Sequence, residues 1–131
     1  MKSLLRWLLP LMFSLAAVAA QANWIPYSQA AFDRLQAEGK PILVLVHADW
    51  CPTCRAQAPI ISNLLSQKEY RSITALRVDF DTQKQVVKAF HVPMQSTLIV
   101  FAGGKELGRS TGETTKIGIE SLLQKVLKDS P

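Results

Sequence analysis

Apolar residues recur along this chain with a spacing that changes from one segment to the next. Ile42-Leu43-Val44-Leu45-Val46 is apolar at every position, as in a strand covered on both faces, and Pro41 marks its start. Thr97-Leu98-Ile99-Val100-Phe101 reads as another strand, and Ile73 to Asp79 as one with alternating inward residues. Elsewhere the spacing is helical. Ser28 can cap a helix to about Glu38, with Phe32 and Leu35 inward and Gly39 as its left-handed stop. A helix is predicted from Cys51 to about Gln67, its buried stripe Ile60, Ile61, Leu64 and Leu65, with a kink at Pro59. Thr82 to Phe90 is predicted as a short helix behind Asp81-Thr82. A last helix, from about Thr115 to Leu127, turns Ile119, Leu122, Leu123 and Val126 inward. Gly103-Gly104 folds the Thr97 strand back into a short strand near Glu106 to Ser110, a hairpin edge. Helices alternating with strands, closed by a hairpin and a helix, predict an α/β sandwich: a central mixed β-sheet flanked by helices.

The first 22 residues do not enter that pattern. Lys2 and Arg6 make a basic start, Trp7 to Ala20 an apolar stretch, and Ala20-Gln21-Ala22 a small-residue cleavage signal. Residues 1–22 are therefore expected to be a cleaved signal peptide, and residues 23–131 one exported domain, soluble in the periplasm. The competing reading, an uncleaved membrane anchor, is disfavoured by the short stretch and by Pro10. Removing Lys2 and Arg6 from the 15 basic residues leaves 13 against 10 acidic ones, a net charge of +3 in place of +5. No run of like charges occurs, so nucleic acid is not an expected partner, and a monomer is expected.

Candidate chemistry is concentrated in His47-Ala48-Asp49-Trp50-Cys51-Pro52-Thr53-Cys54-Arg55, which holds both cysteines of the chain. A CxxC between an apolar strand and a helix has the position of a dithiol redox centre. Unpaired N–H groups at a helix start favour a thiolate, which makes Cys51 the expected nucleophile. Cys54, about one turn on and more enclosed, is the expected resolving thiol, close enough to close a disulfide. Pro52 suits the first turn because it has no N–H to leave unpaired. Outside the cytoplasm such a pair is either kept oxidised or supplied with electrons. The alternative is a Cu(I)- or Zn(II)-binding or metal-delivery module, in which His47 or His91 joins the cysteines. Without a second CxxC or an HxxxH the four-ligand zinc pattern is incomplete, and no resident metal is expected. A purely structural bridge over so short a loop would remove little unfolded-state entropy. A redox-dead binding module sits badly with two intact cysteines at a helix start.

Gly39-Lys40-Pro41, Ala48-Asp49-Trp50-Cys51, Pro59 five residues after the second cysteine, and Thr97 to Phe101 with its Gly-Gly-Lys turn together resemble the thioredoxin-fold family. Within it, they are most similar to periplasmic domains such as the C-terminal domain of the thiol-disulfide interchange protein DsbD. The resemblance covers nearly all of residues 23–131. It implies disulfide exchange with thiol- or disulfide-containing exported proteins, through a mixed disulfide at Cys51 that Cys54 releases. No cofactor beyond the redox-active disulfide is implied, and a membrane electron donor of the DsbD/CcdA type is. It also implies a substrate-binding loop at Gln95, Ser96 and Thr97, and an environment for the cysteines made by His47, Trp50, Pro52 and Thr53. Three departures stand out. Ser96 occupies the position of the family's cis-proline, and Pro93 could serve only across a three-residue bulge. Leu45 replaces a buried aspartate six residues before the first cysteine, and Ala75 is expected where that aspartate's lysine partner would lie. His47 stands where an aromatic is common, as a packing residue or as an acid/base group.

Overall fold

A computed structural model describes residues 24–128. The expected signal peptide, residues 1–22, lies outside them. Five strands form one sheet: β1 (Trp24–Pro26), β2 (Ile42–His47), β3 (Thr74–Asp79), β4 (Thr97–Ala102) and β5 (Lys105–Thr111). Their spatial order is β1-β3-β2-β4-β5. β2 runs parallel to β3 and antiparallel to β4, so the sheet is mixed, as expected. Four α-helices flank it: α1 (Gln29–Ala37), α2 (Pro52–Ser66), α3 (Lys84–Ala89) and α4 (Lys116–Lys128). No helix among the described residues is long and apolar enough to cross a membrane.

The unbroken apolar run of β2 follows from its central place, because successive side chains enter opposite cores. Leu43 and Leu45 join Ile61, Leu64, Leu65, Ile119 and Leu123 beneath α2 and α4. Ile42, Val44 and Val46 join Phe32, Leu35 and Val87 beneath α1 and α3. On that second side Phe32 meets Phe101 edge to face at 5.1 Å and Phe90 at 5.3 Å, geometries aromatic rings prefer.

Local signals set most helix ends. Ser28 Oγ accepts the Ala31 N–H at 3.2 Å, and Gly39 has φ +68°, as the N-cap and left-handed stop of α1 require. Thr115 Oγ1 accepts the Gly118 N–H at 3.1 Å and opens α4. Three expectations change. Ile73 to Asp79 is not a one-faced strand: Ala75 enters one core, while Leu76 and Val78 enter the other, because helices cover both faces of the sheet. The turn before α3 is held by Asp79, whose Oδ1 accepts the N–H groups of Asp81 and Thr82, each at 2.9 Å, and the helix starts later, at Lys84. Strand β1 was not foreseen, since three residues ending in proline carry no periodicity.

Candidate active site

The site forms where the C-terminal end of β2 delivers the chain to the start of α2. Cys51 is the N-cap, with extended backbone angles, and its Sγ accepts the Cys54 N–H at 3.1 Å, the place a serine or aspartate oxygen usually takes. Pro52 opens the helix behind it. Both sulfurs are free thiols. Ala48 and Phe80 pack against them.

Exposure was expected to distinguish the two cysteines, but it does not. Cys51 is 1% exposed and Cys54 3%. What distinguishes them is polarity and depth. Burial opposes a charge on Cys51, yet bonds from the Cys54 thiol and N–H, the Gln95 side chain and the Thr53 N–H hold its pKa below the ordinary thiol value. Cys54 lies deeper. Burial first, then the hydrogen bond to Cys51 and the nearness of its charge, push Cys54 up to about 11. One sulfur is thus disposed to be a thiolate and its neighbour to keep its proton.

Facing them is the loop before β4. No peptide bond is cis among the described residues, at Pro93 or at Ser96, and Ser96 instead adopts φ +61°. Its N–H donates to the Val46 carbonyl at 2.8 Å, and its carbonyl accepts from Gly112 N–H at 3.0 Å and Gln57 Nε2 at 3.1 Å. The hydroxyl donates to the Gln95 carbonyl at 2.5 Å. The Ser96 hydroxyl is thus turned to its own chain, while its N–H, besides meeting Val46, also reaches the Cys54 sulfur and partly offsets the rise in that thiol's pKa. Thr97 is fully buried and bonds Met94 O and Thr111. Gln95, half-buried, is the member of the expected substrate loop whose side chain reaches Cys51.

Leu45 is buried and lines one cavity with Cys54, and the residue paired with it across β2 and β3 is Arg77, not Ala75, which pairs with Leu43. A cation therefore occupies the strand position beside Leu45. His47 follows on the same side, its Nε2 3.0 Å from Asp49 Oδ1, and Arg77 approaches that oxygen to 3.9 Å. Trp50 is 55% exposed beside Cys51, and its indole N–H donates to Asp81 Oδ2 at 2.8 Å. Thr53 is half-buried and Arg55 exposed. His91 is exposed just after α3 at φ +53°. Among the described residues no group of three or more His, Cys, Asp or Glu side chains could hold a metal ion. Sequence reasoning missed Gln57, although a buried amide three residues after Cys54, on the stripe of Ile61 and Leu64, breaks an otherwise apolar face. It missed Arg77 and Asp81 too, which reach the site only through strand register and a turn.

Residues 23–125 match the family model described as Thioredoxin. Thioredoxin from Chlamydia muridarum is 33% identical over 84 residues, 64% of this chain and 80% of the relative. The bifunctional thioredoxin reductase/thioredoxin of Mycobacterium leprae is 30% identical over 88 residues, 67% of this chain but 19% of that protein. Among solved structures, Trxlp from Edwardsiella tarda superposes with a TM-score of 0.73 at 45% identity, covering 75% of this chain and 95% of that one.

Proposed function

The chain belongs to the thioredoxin family and is a thioredoxin-like disulfide oxidoreductase, and on that premise we propose an exported reductant of protein disulfides that works through Cys51 and Cys54. The observation that carries this reading is the asymmetry of the two thiols, with Cys51 held low by hydrogen bonds and Cys54 raised to about 11. The Cys51 thiolate attacks a partner disulfide, forming a Cys51–partner bond and expelling one partner thiolate. Cys54, once deprotonated, attacks Cys51 Sγ, closes the Cys51–Cys54 disulfide and releases the second thiolate. The partner gains two electrons and the dithiol loses two.

The direction of flow rests on what surrounds Cys51. Thr53, the residue before the second cysteine, brings no charge, and the hydrogen bonds on the sulfur come from neutral donors. A moderately stabilised thiolate keeps the potential low, so the dithiol tends to give electrons away. In the periplasm such a protein must be re-reduced. The narrower likeness to the DsbD domain supports a membrane donor of the DsbD/CcdA type. Partners are exported proteins carrying thiols or disulfides.

Two measurements test this. In cells, Cys54→Ala should accumulate covalent adducts through Cys51, whereas Cys51→Ala should not; the reverse pattern would exchange the two roles. Acid trapping and alkylation of growing cells should find part of the pool reduced. A fully oxidised pool, with purified protein that oxidises a reduced peptide faster than it reduces insulin, would reverse the direction.

A further inference from the structure

We propose that His47, held by Asp49, accepts the proton that Cys54 must lose when it attacks the mixed disulfide, receiving it through one water in the cavity that both side chains line. The inference rests on the exchange reading above. Cys54 is the deeper thiol, and its burial, which persists in the mixed disulfide, favours the protonated form, so its attack is helped by a nearby base. The strand position six residues before Cys51 cannot supply one, because it is Leu45.

His47 is placed for the task by strand parity. Leu45 and His47 point to the same side of β2, toward α2. A cavity of about 10 Å³ lies there, lined by Leu45, His47, Cys54, Gln57 and Arg77 among others. That is about the least space that admits one water, and Cys54, His47, Gln57 and Arg77 supply the polar partners such a water needs. The tautomer follows from Asp49. An ionised carboxylate only accepts, so the ring nitrogen 3.0 Å from Asp49 Oδ1 carries the hydrogen, and Nδ1 is left bare to take a proton.

Of the surrounding charges, the Asp49 carboxylate favours an imidazolium formed for the duration of the step, against the opposing Arg77 cation. Asp49 comes from the loop after β2 and is 86% exposed, while the His47 side chain is 16% exposed. Arg77 of β3 lies 3.9 Å from the same carboxylate oxygen. Asp79, paired with His47 across the two strands, turns its carboxylate to the Asp81 and Thr82 N–H groups. Cys51 and Cys54 complete the titratable set from the α2 side, and β1 and β4 contribute none there. In the step itself the Cys54 S–H proton passes through the water to Nδ1. The sulfur then bonds Cys51 Sγ, the bond from Cys51 to the partner breaks, and the departing thiolate takes up a proton from solvent.

Reaction of the reduced protein with equimolar dithiobis(nitrobenzoate) separates the steps. The first coloured thiolate released reports attack by Cys51, and the second reports closure by Cys54. His47→Gln should leave the first phase unchanged and slow the second about a hundredfold near neutral pH, the lower end of what a placed proton acceptor contributes. Added imidazole should restore part of the second phase in this variant and leave the parent's unchanged, as an external base does when a placed one is missing. Asp49→Asn, at an exposed position that does not threaten folding, should slow the same phase and leave the first untouched. If neither variant alters the second phase, if imidazole restores nothing, or if both phases slow equally, His47 is a packing residue and the proposal fails. A wild-type protein that releases a single equivalent would sink the exchange reading itself, and this inference with it.

Discussion

Ser96 holds a left-handed backbone angle that costs a side-chain-bearing residue roughly 1–2 kcal/mol, and it is kept there by bonds to Val46, Gly112 and Gln57. Ser96→Gly should therefore raise stability by up to about 1 kcal/mol, read from the urea midpoint at unchanged slope. Ser96→Pro should do the opposite. Its fixed φ near −65° cannot reach +61°, and it deletes the N–H given to Val46, so a loss of more than about 1 kcal/mol is expected. A proline variant as stable as the parent would mean that the loop rearranges freely. The sequence marks Ser96 as one departure from the family pattern but does not show what holds it. Its partners lie 50, 39 and 16 positions away in the chain, and nothing local announces them. The cysteine roles were legible because they depend on a helix start only residues away. Their similar exposure was not, because Gln95 and Phe80 arrive from other elements.

At the level of elements, Gln57 couples α2 to two other segments, giving its Nε2 hydrogens to the Ser96 carbonyl at 3.1 Å and the Glu113 carbonyl at 2.9 Å. Gln57→Leu keeps the volume and removes both donors. It should cost about 1–3 kcal/mol and speed amide exchange around residues 95–97 and 112–114, while α2 itself stays formed. Unchanged exchange in both segments would show that the clamp is idle. Asp79→Ala should cost about 1 kcal/mol by freeing the Asp81 and Thr82 N–H groups, with the loss concentrated at the start of α3. Helices α1, α2 and α4 and strands β2, β4 and β5 were readable because period and punctuation agreed in each. Strand β1 and the late start of α3 were not. A three-residue edge strand owes its existence to β3, and α3 is positioned by a carboxylate on the preceding strand.

For the whole molecule, the two thiols make the stability of the reduced form depend on pH with opposite signs. Cys51 is depressed below the ordinary 9.0, so its contribution is present above that value and lost as pH falls through the folded value. Cys54 is raised, so its contribution is present below 9.0 and lost as pH rises through about 11. Subtracting the oxidised form, which has neither titration, removes the tyrosines and lysines from the comparison. The reduced-minus-oxidised difference in unfolding free energy should peak near pH 9 and decline on both sides. A flat difference would show that the thiols titrate alike in folded and unfolded chains. Among the described residues the sheet ends in two margins, and these carry a separate consequence. One margin is β1, three residues long and ended by Pro26. The other is β5, offset from β4 by a bulge between Val100 and Phe101, with Arg109 gripping Glu106 and reaching the Phe90 carbonyl at 3.0 Å. Short length, proline, a bulge and charge each spoil a strand edge as a template for a second chain. A concentrated solution of this protein therefore has little tendency to grow sheet-to-sheet aggregates from its folded state.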